Sequence, residues 1–207
     1  MKINALIIIP AVLLFSSTAM ADRYKQINHV IDASELEKVH LEISVGELDI
    51  EVYDGEEIQL EIDIESDRGW FSFGRGHAED VELDIEGSGP RVYIGITDRN
   101  IEQHWRVKLP AKLALELDMG VGDIHIEDFA NSLDLELGVG AVRVDVADVD
   151  YDAIHASVGV GDSTIRGFAQ GTDNERNFIS ADSYYHGEGE FEMQIEVGVG
   201  DVEIRKN

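Results

Sequence analysis

Gly120-Val121-Gly122-Asp123, Gly138-Val139-Gly140-Ala141, Gly159-Val160-Gly161-Asp162 and Gly198-Val199-Gly200-Asp201 are four copies of one short pattern. Alternating apolar and polar residues flank each copy. Leu113-x-Leu115-x-Leu117-x-Met119 leads into the first, and Ile124-His125-Ile126 leaves it. A weaker copy, Ser44-Val45-Gly46-Glu47, lies near the start. Alternation with period two turns one set of side chains to a core and the other to water, as in a strand. Recurrence of a strand–glycine–strand unit at a near-constant period indicates stacked equivalent coils. The second glycines fall at 122, 140, 161 and 200, in steps of 18, 21 and 39 residues. The expected fold is all-β: a single-domain, β-helix-like β-solenoid with coils of about 18–21 residues.

Several details follow from using the hinge as a ruler. Gly120, Gly122, Gly138, Gly140, Gly159, Gly161, Gly198 and Gly200 are structural, because glycine reaches positive φ without side-chain penalty where a coil turns sharply. Leu115, Leu135, Ala156 and Ile195 are expected to form one internal ladder, and Met119, Leu137, Val158 and Val197 another. The valine between the glycines is expected to continue the inward set. The double step predicts an irregular coil between Gly161 and Gly200. The 76 residues from Gly46 to Gly122 predict about four further coils. The whole would be about eight coils, a rod of ~40 Å.

The N-terminus reads as an address. Lys2 precedes the apolar run Ala5 to Phe15, and Ala19-Met20-Ala21 is a small-x-small cleavage site. Residues 1–21 are therefore expected to be a signal peptide and 22–207 the mature domain, exported to the periplasm, the cell surface or the medium. The run is shorter than the roughly 20 residues of a membrane span, so no transmembrane segment is expected in the mature chain. The sequence contains no cysteine, which excludes disulfides and a lipid-anchored cysteine.

Asp and Glu number 43 against 16 Lys and Arg, a net charge of −27. Such a chain repels nucleic acid and anionic lipid, and attracts divalent cations or basic partners. The Gly-x-Gly-Asp hinge is not a phosphate loop, because a strand and not a helix follows it. Calcium is the stronger idea for a repeated acidic turn. Calcium wants six to eight converging oxygens, and Asp123, Asp162 and Asp201 are interrupted by Ala141. Calcium dependence stands as an alternative; no specific metal site and no cofactor are expected. The histidines at 29, 40, 77, 104, 125, 155 and 186 lack metal-ligand spacing. No cluster of Asp with Lys or Arg recurs on one strand. A non-catalytic protein is expected, with a polysaccharide-processing enzyme as a remote alternative.

One segment breaks the alternation. Ser66 to Asp80 concentrates Arg68, Trp70, Phe71, Phe73 and Arg75 among three glycines. Aromatics and arginine are favoured at interface centres, which makes these five residues the candidate binding site. The same aromatics could instead cap an open solenoid end.

The pair Val39–Val45 and Leu48–Val52, the segment Trp105-Arg-Val-Lys-Leu-Pro110 and the downstream hinge strands together resemble the bacterial putative-adhesin family of the DUF4097 type. The resemblance covers nearly the whole mature chain. It implies an exported or envelope-associated β-solenoid with no catalytic residues to carry over. Its expected partner is a protein or another envelope component; oligomeric state is left open.

Overall fold

The computed structural model describes residues 24–66, 77–98, 100–168 and 171–206. Twelve strands form one open sheet among them: β1 (Tyr24–Asp32), β2 (Lys38–Tyr53), β3 (Glu57–Ser66), β4 (Asp84–Ser88), β5 (Arg91–Ile96), β6 (Ile101–Pro110), β7 (Ala114–Phe129), β8 (Leu133–Val146), β9 (Tyr151–Arg166), β10 (Thr172–Arg176), β11 (Ala181–His186) and β12 (Phe191–Lys206). The only helical element among the described residues is a 3-10 turn, Ala78–Asp80. The all-β, β-solenoid-like reading holds.

The heart of the sheet is five long parallel strands in the order β2-β7-β8-β12-β9. Each runs unbroken through its hinge: Gly46, Gly122, Gly140, Gly200 and Gly161 pair in register. The bend divides every strand into a first arm before the glycine and a second arm after it. On the first arm, Leu41, Leu117, Leu135, Ile195 and Ala156 form one inward row. On the second arm, Ile50, Ile126, Val144, Ile204 and Ile165 form another. Both rows are buried in a single continuous core. Each such side chain contributes about 1.5–3 kcal/mol of transfer free energy, and the repetition of rows is what stabilises the stack.

Four expectations are corrected. Leu135 pairs with Leu117, not Leu115, which faces Leu133; the Met119, Leu137, Val158 and Val197 ladder is as expected. Gly122 lies directly beside Gly46, so there are no four intervening coils and the rod of eight coils is not formed. The chain between them folds back instead as β3–β6. There β5 pairs with the first arm of β2 and β6 with its second arm, making one interrupted layer. Next, β12 does not follow β9 in the stack but inserts between β8 and β9. The excursion β10–β11, an antiparallel hairpin laid on the first arm of β9, returns the chain to that slot. Finally, the valines between the hinge glycines are not buried. Val121, Val139, Val160 and Val199 are 46–47% exposed, because the bend turns the strand so that the next inward residue is two beyond the second glycine.

The interrupted layer is mended by a side chain. Gln103 sits opposite Gly46, is buried, and ties two ends together. Its amide nitrogen donates to Ile96 O (3.2 Å) at the end of β5, and its amide oxygen accepts from Trp105 Nε1 (2.9 Å). Trp105 is fully buried, as the alternation Trp105-x-Val107-x-Leu109 requires. Pro110 ends β6, where its missing N–H costs nothing in the ladder. Ser44 stands where the other hinges carry their first glycine; it faces the gap in this layer, and its hydroxyl donates to Thr97 O (2.7 Å).

Candidate functional site

The bend is the feature that all five strands share, and its chemistry is built row by row. A Cβ on Gly122, Gly140 or Gly200 would overlap the carbonyl oxygen of the neighbouring hinge glycine, and these residues have φ of 147–152°. A Cβ on Gly198 or Gly159 would sit 2.6 or 2.7 Å from the Gly138 or Gly198 oxygen. Glycine is imposed at both hinge positions by the close approach of adjacent backbones.

The aspartate after the hinge has a backbone role as well. Asp123 Oδ1 accepts from the Ala141 N–H, and Asp201 Oδ1 from the Asp162 N–H, each at 3.1 Å. Each carboxylate adds a side-chain acceptor to the ladder at the bend. Asp162, at the end of the stack, pairs with Arg176 at 2.6 Å. The hinge carboxylates are thus spent one per strand on amides and an arginine, which is not the convergence of oxygens that calcium requires.

Outward of the bend on the first arm, Glu42, Asp118, Glu136 and Glu196 lie side by side on four adjacent strands. Tyr93 donates to Glu42 at 2.9 Å, and Gln194 to Glu196 at 2.8 Å. Burial first, then the Glu42 carboxylate, pushes the Tyr93 hydroxyl up to about 12. His40 Nε2 lies 2.6 Å from Asp118 Oδ2. No Lys or Arg pairs with Glu42, Glu136 or Glu196 among the described residues. A groove of about 830 Å³ runs between this row and Val45 and Val121, floored by Gly120, Gly138, Gly159 and Gly198.

The second arm is different. Its cations are used internally: Arg106 bridges Glu61 (2.9 Å) and Asp63 (3.1 Å), Lys108 meets Glu51 (3.1 Å), and Arg205 meets Asp145 (2.8 Å). The hydroxyl of Tyr24, and then Arg106, hold the Asp63 carboxyl below its ordinary value. A groove of about 520 Å³ on this face is lined by two of these pairs, Arg106–Glu61 and Lys108–Glu51.

The predicted binding residues Arg68, Trp70, Phe71, Phe73 and Arg75 lie outside the described residues. On either side of that stretch, Ala78 N donates to Ser66 Oγ at the end of β3 (3.1 Å). The fold does bring together one group invisible in the sequence: His40, Glu116 and Asp118 offer ligand atoms within 4.8 Å of one another, the one such group among the described residues. Strand spacing of 76 to 78 residues hides it from any local motif. Lys38 is ion-paired to Glu116, and this hydrogen bond holds the Glu116 carboxyl below its ordinary range. The trio is an ion-pair network already carrying its own cation.

Glycine-hinged parallel strands with outward polar rows and an inward aliphatic core define a β-solenoid-like protein. A family model, the N-terminal domain of toast_rack (DUF2154), matches residues 20–166, and the chain belongs to that family. Among solved structures, a putative cell adhesion protein from Clostridium sporogenes is similar in fold: TM-score 0.52, 15% identity, covering 89% of this chain and 100% of that one. Putative adhesins from Bacteroides fragilis (TM-score 0.24, 8% identity, 87% and 97% covered) and Parabacteroides merdae (0.26, 10%, 88% and 81%) are more distant, and carry no argument about this fold. No curated protein matches the chain. The likeness to the Clostridium sporogenes protein is one of fold, and the family model does not carry the narrower DUF4097 assignment. No helix among the described residues is long and apolar enough to cross a membrane.

Proposed function

We propose that this chain is a non-catalytic, adhesin-like β-solenoid that binds or scaffolds components of the bacterial cell envelope. It is exported, cleaved near Ala21, and acts in the periplasm or at the cell surface. The observation that carries the reading is the stack itself. Five strands of 14–16 residues hold their outward side chains in fixed rows on a rigid core, which suits display over a long surface. The name of the Clostridium sporogenes neighbour supports the same direction. The segment with Arg68, Trp70, Phe71, Phe73 and Arg75 is the second contact surface in this reading, and kinship with DUF4097-type proteins belongs to it too.

Two measurements test it. N-terminal sequencing of the protein recovered from a periplasmic fraction is expected to begin at Asp22; retention of residues 1–21 in the cytoplasm would overturn export. Cross-linking in intact cells is expected to yield an envelope partner, and the Trp70→Ser, Phe71→Ser, Phe73→Ser triple variant is expected to lose part of it while its melting curve is unchanged. A protein that cross-links to nothing in the envelope would overturn the binding role.

A further inference from the structure

The four hinge valines form an exposed apolar ridge. Val121, Val139, Val199 and Val160 are successive partners across the stack, and Val45 extends the row at its other end. Five strands at roughly 4.8 Å spacing make it about 19 Å long. It does not stop at Val160. The Gly161 N–H donates to Ile179 O (3.0 Å), which brings the turn carrying Ile179 (59% exposed) and the wholly exposed Phe178 against the end of the row. The glycines are imposed by backbone packing, but the valines are not. Threonine has the same shape and a comparable strand preference, yet four half-exposed positions in a row are apolar. Contiguous exposed apolar surface on an otherwise acidic protein marks an interaction site.

Both flanks of the ridge are acidic. On the first arm the groove separates it from Glu42, Asp118, Glu136 and Glu196. On the second arm Glu47, Asp123 and Asp201 follow the hinge, with Ala141 between the two aspartates and Asp162 at the end paired to Arg176. Like charges directly opposite across strands are mutually unfavourable, and among the described residues no lysine or arginine pairs with Glu42, Glu136 or Glu196 to relieve it. A cationic ligand would.

We propose that the ridge and its acidic flanks are the docking site for a basic amphipathic helix of a partner polypeptide. The proposal rests on the binding role above and names the chemistry of the partner. Spacing favours a helix: its turns repeat every 5.4 Å, near the strand spacing, whereas same-face residues of an extended chain recur at about 6.7 Å. Roughly 13 residues would span the ridge. The apolar stripe of such a helix rests on the valines, and lysines or arginines on either side reach the two carboxylate rows. A second copy of this chain is disfavoured by the net charge of −27 on each molecule.

The probe is a labelled leucine/lysine peptide of about 18 residues with helical periodicity, titrated into the protein by fluorescence anisotropy. A scrambled peptide of identical composition is the control. Saturable binding, roughly tenfold or more tighter than the scrambled control, is expected. V139T with V199T should weaken it roughly tenfold, because two aliphatic contacts become hydroxyls. E136Q with E196Q should weaken it and flatten its salt dependence. Equal affinity for both peptides, or no effect of the valine changes in a variant with an unaltered circular dichroism spectrum, overturns the ridge as the site. A concentration-dependent dimer abolished by V139T with V199T also overturns it, by assigning the ridge to a second copy. Failure of peptide binding with cellular cross-linking intact refutes this assignment alone; failure of both removes the binding role as well.

Discussion

Replacing Gly140 by alanine tests the central physical claim, that glycine is imposed at the bend by backbone contact. Gly140 lies mid-stack, between Gly122 of β7 and Gly200 of β12, with φ of 147°. An added Cβ would overlap the Gly122 carbonyl oxygen, a backbone atom that cannot swing aside. Holding a non-glycine residue at that φ costs about 1–3 kcal/mol. Relieving the overlap by moving a packed strand costs about 1–3 kcal/mol more. The sum, roughly 2–6 kcal/mol, is a large part of a typical folding free energy of about 5–15 kcal/mol. Gly87 provides the internal control: it is exposed on β4, and a Cβ there meets nothing within 4 Å. Urea unfolding followed by circular dichroism should therefore show G140A with a much lower midpoint at unchanged slope, and a melting point down by roughly 10 °C. G87A should stay within about 1 kcal/mol of the parent. A G140A loss below about 1 kcal/mol would refute the reasoning, since the strands would then be able to separate at the hinge without cost.

Three other outcomes follow from the same architecture. A chain ended at Gly187 loses β12, the strand between β8 and β9, and is expected to unfold without a cooperative transition; a sharp melt at the parental temperature would mean that β9 closes onto β8 unaided. Calcium and magnesium at matched ionic strength should give the same melting temperature, because Asp123 and Asp201 accept backbone amides and do not converge; a calcium-specific rise of many degrees would show otherwise. Stability should also fall at both pH extremes. The Asp150 carboxyl is held below its ordinary value by the Tyr185 hydroxyl (2.5 Å) and then by the Glu188 N–H, and Asp63 and Glu116 are likewise depressed. Their contribution is present above the unfolded carboxylate value of about 4 and is lost as pH falls through the lower folded values. The Tyr185 hydroxyl is raised to about 12 by the Asp150 carboxylate and by burial, so its contribution is present below about 10 and is lost as pH rises toward 12. Tyr185→Phe should remove its share of the alkaline loss; an unchanged alkaline limb in a pH titration of the unfolding midpoint would refute the assignment.

The candidate site was legible only in its parts. The hinge glycines were readable because a turn between strands selects for the absence of a side chain, and the pattern repeats. The role of the following aspartate was not, because its acceptor function depends on a neighbour 18 or 39 residues away, and in one case on an alanine amide. Gln103 gave no local signal at all: a buried glutamine is recognisable only once Ile96 and Trp105 are placed on either side of it. The valine ridge was misassigned to the core for a definite reason. Period-two alternation assumes a straight strand, and the bend at each second glycine shifts the inward phase by one residue.

What the sequence determined by itself is local: alternation sets strands and their inward faces, and paired glycines set where each strand bends. What only the tertiary structure decided is the order in which equivalent strands stack. The hinge strands carry nearly interchangeable inward rows, so pairing energy alone does not distinguish β9 from β12 as the neighbour of β8. The ends of the stack decide it. The first arm of β9 is covered by β11. Its second arm is closed by the Asn174 side chain, which accepts from the Ile165 N–H (3.0 Å), and by the Ser163–Ser183 hydroxyl pair (2.7 Å). A strand capped in that way is terminal, and the last strand of the chain enters the slot left inside it.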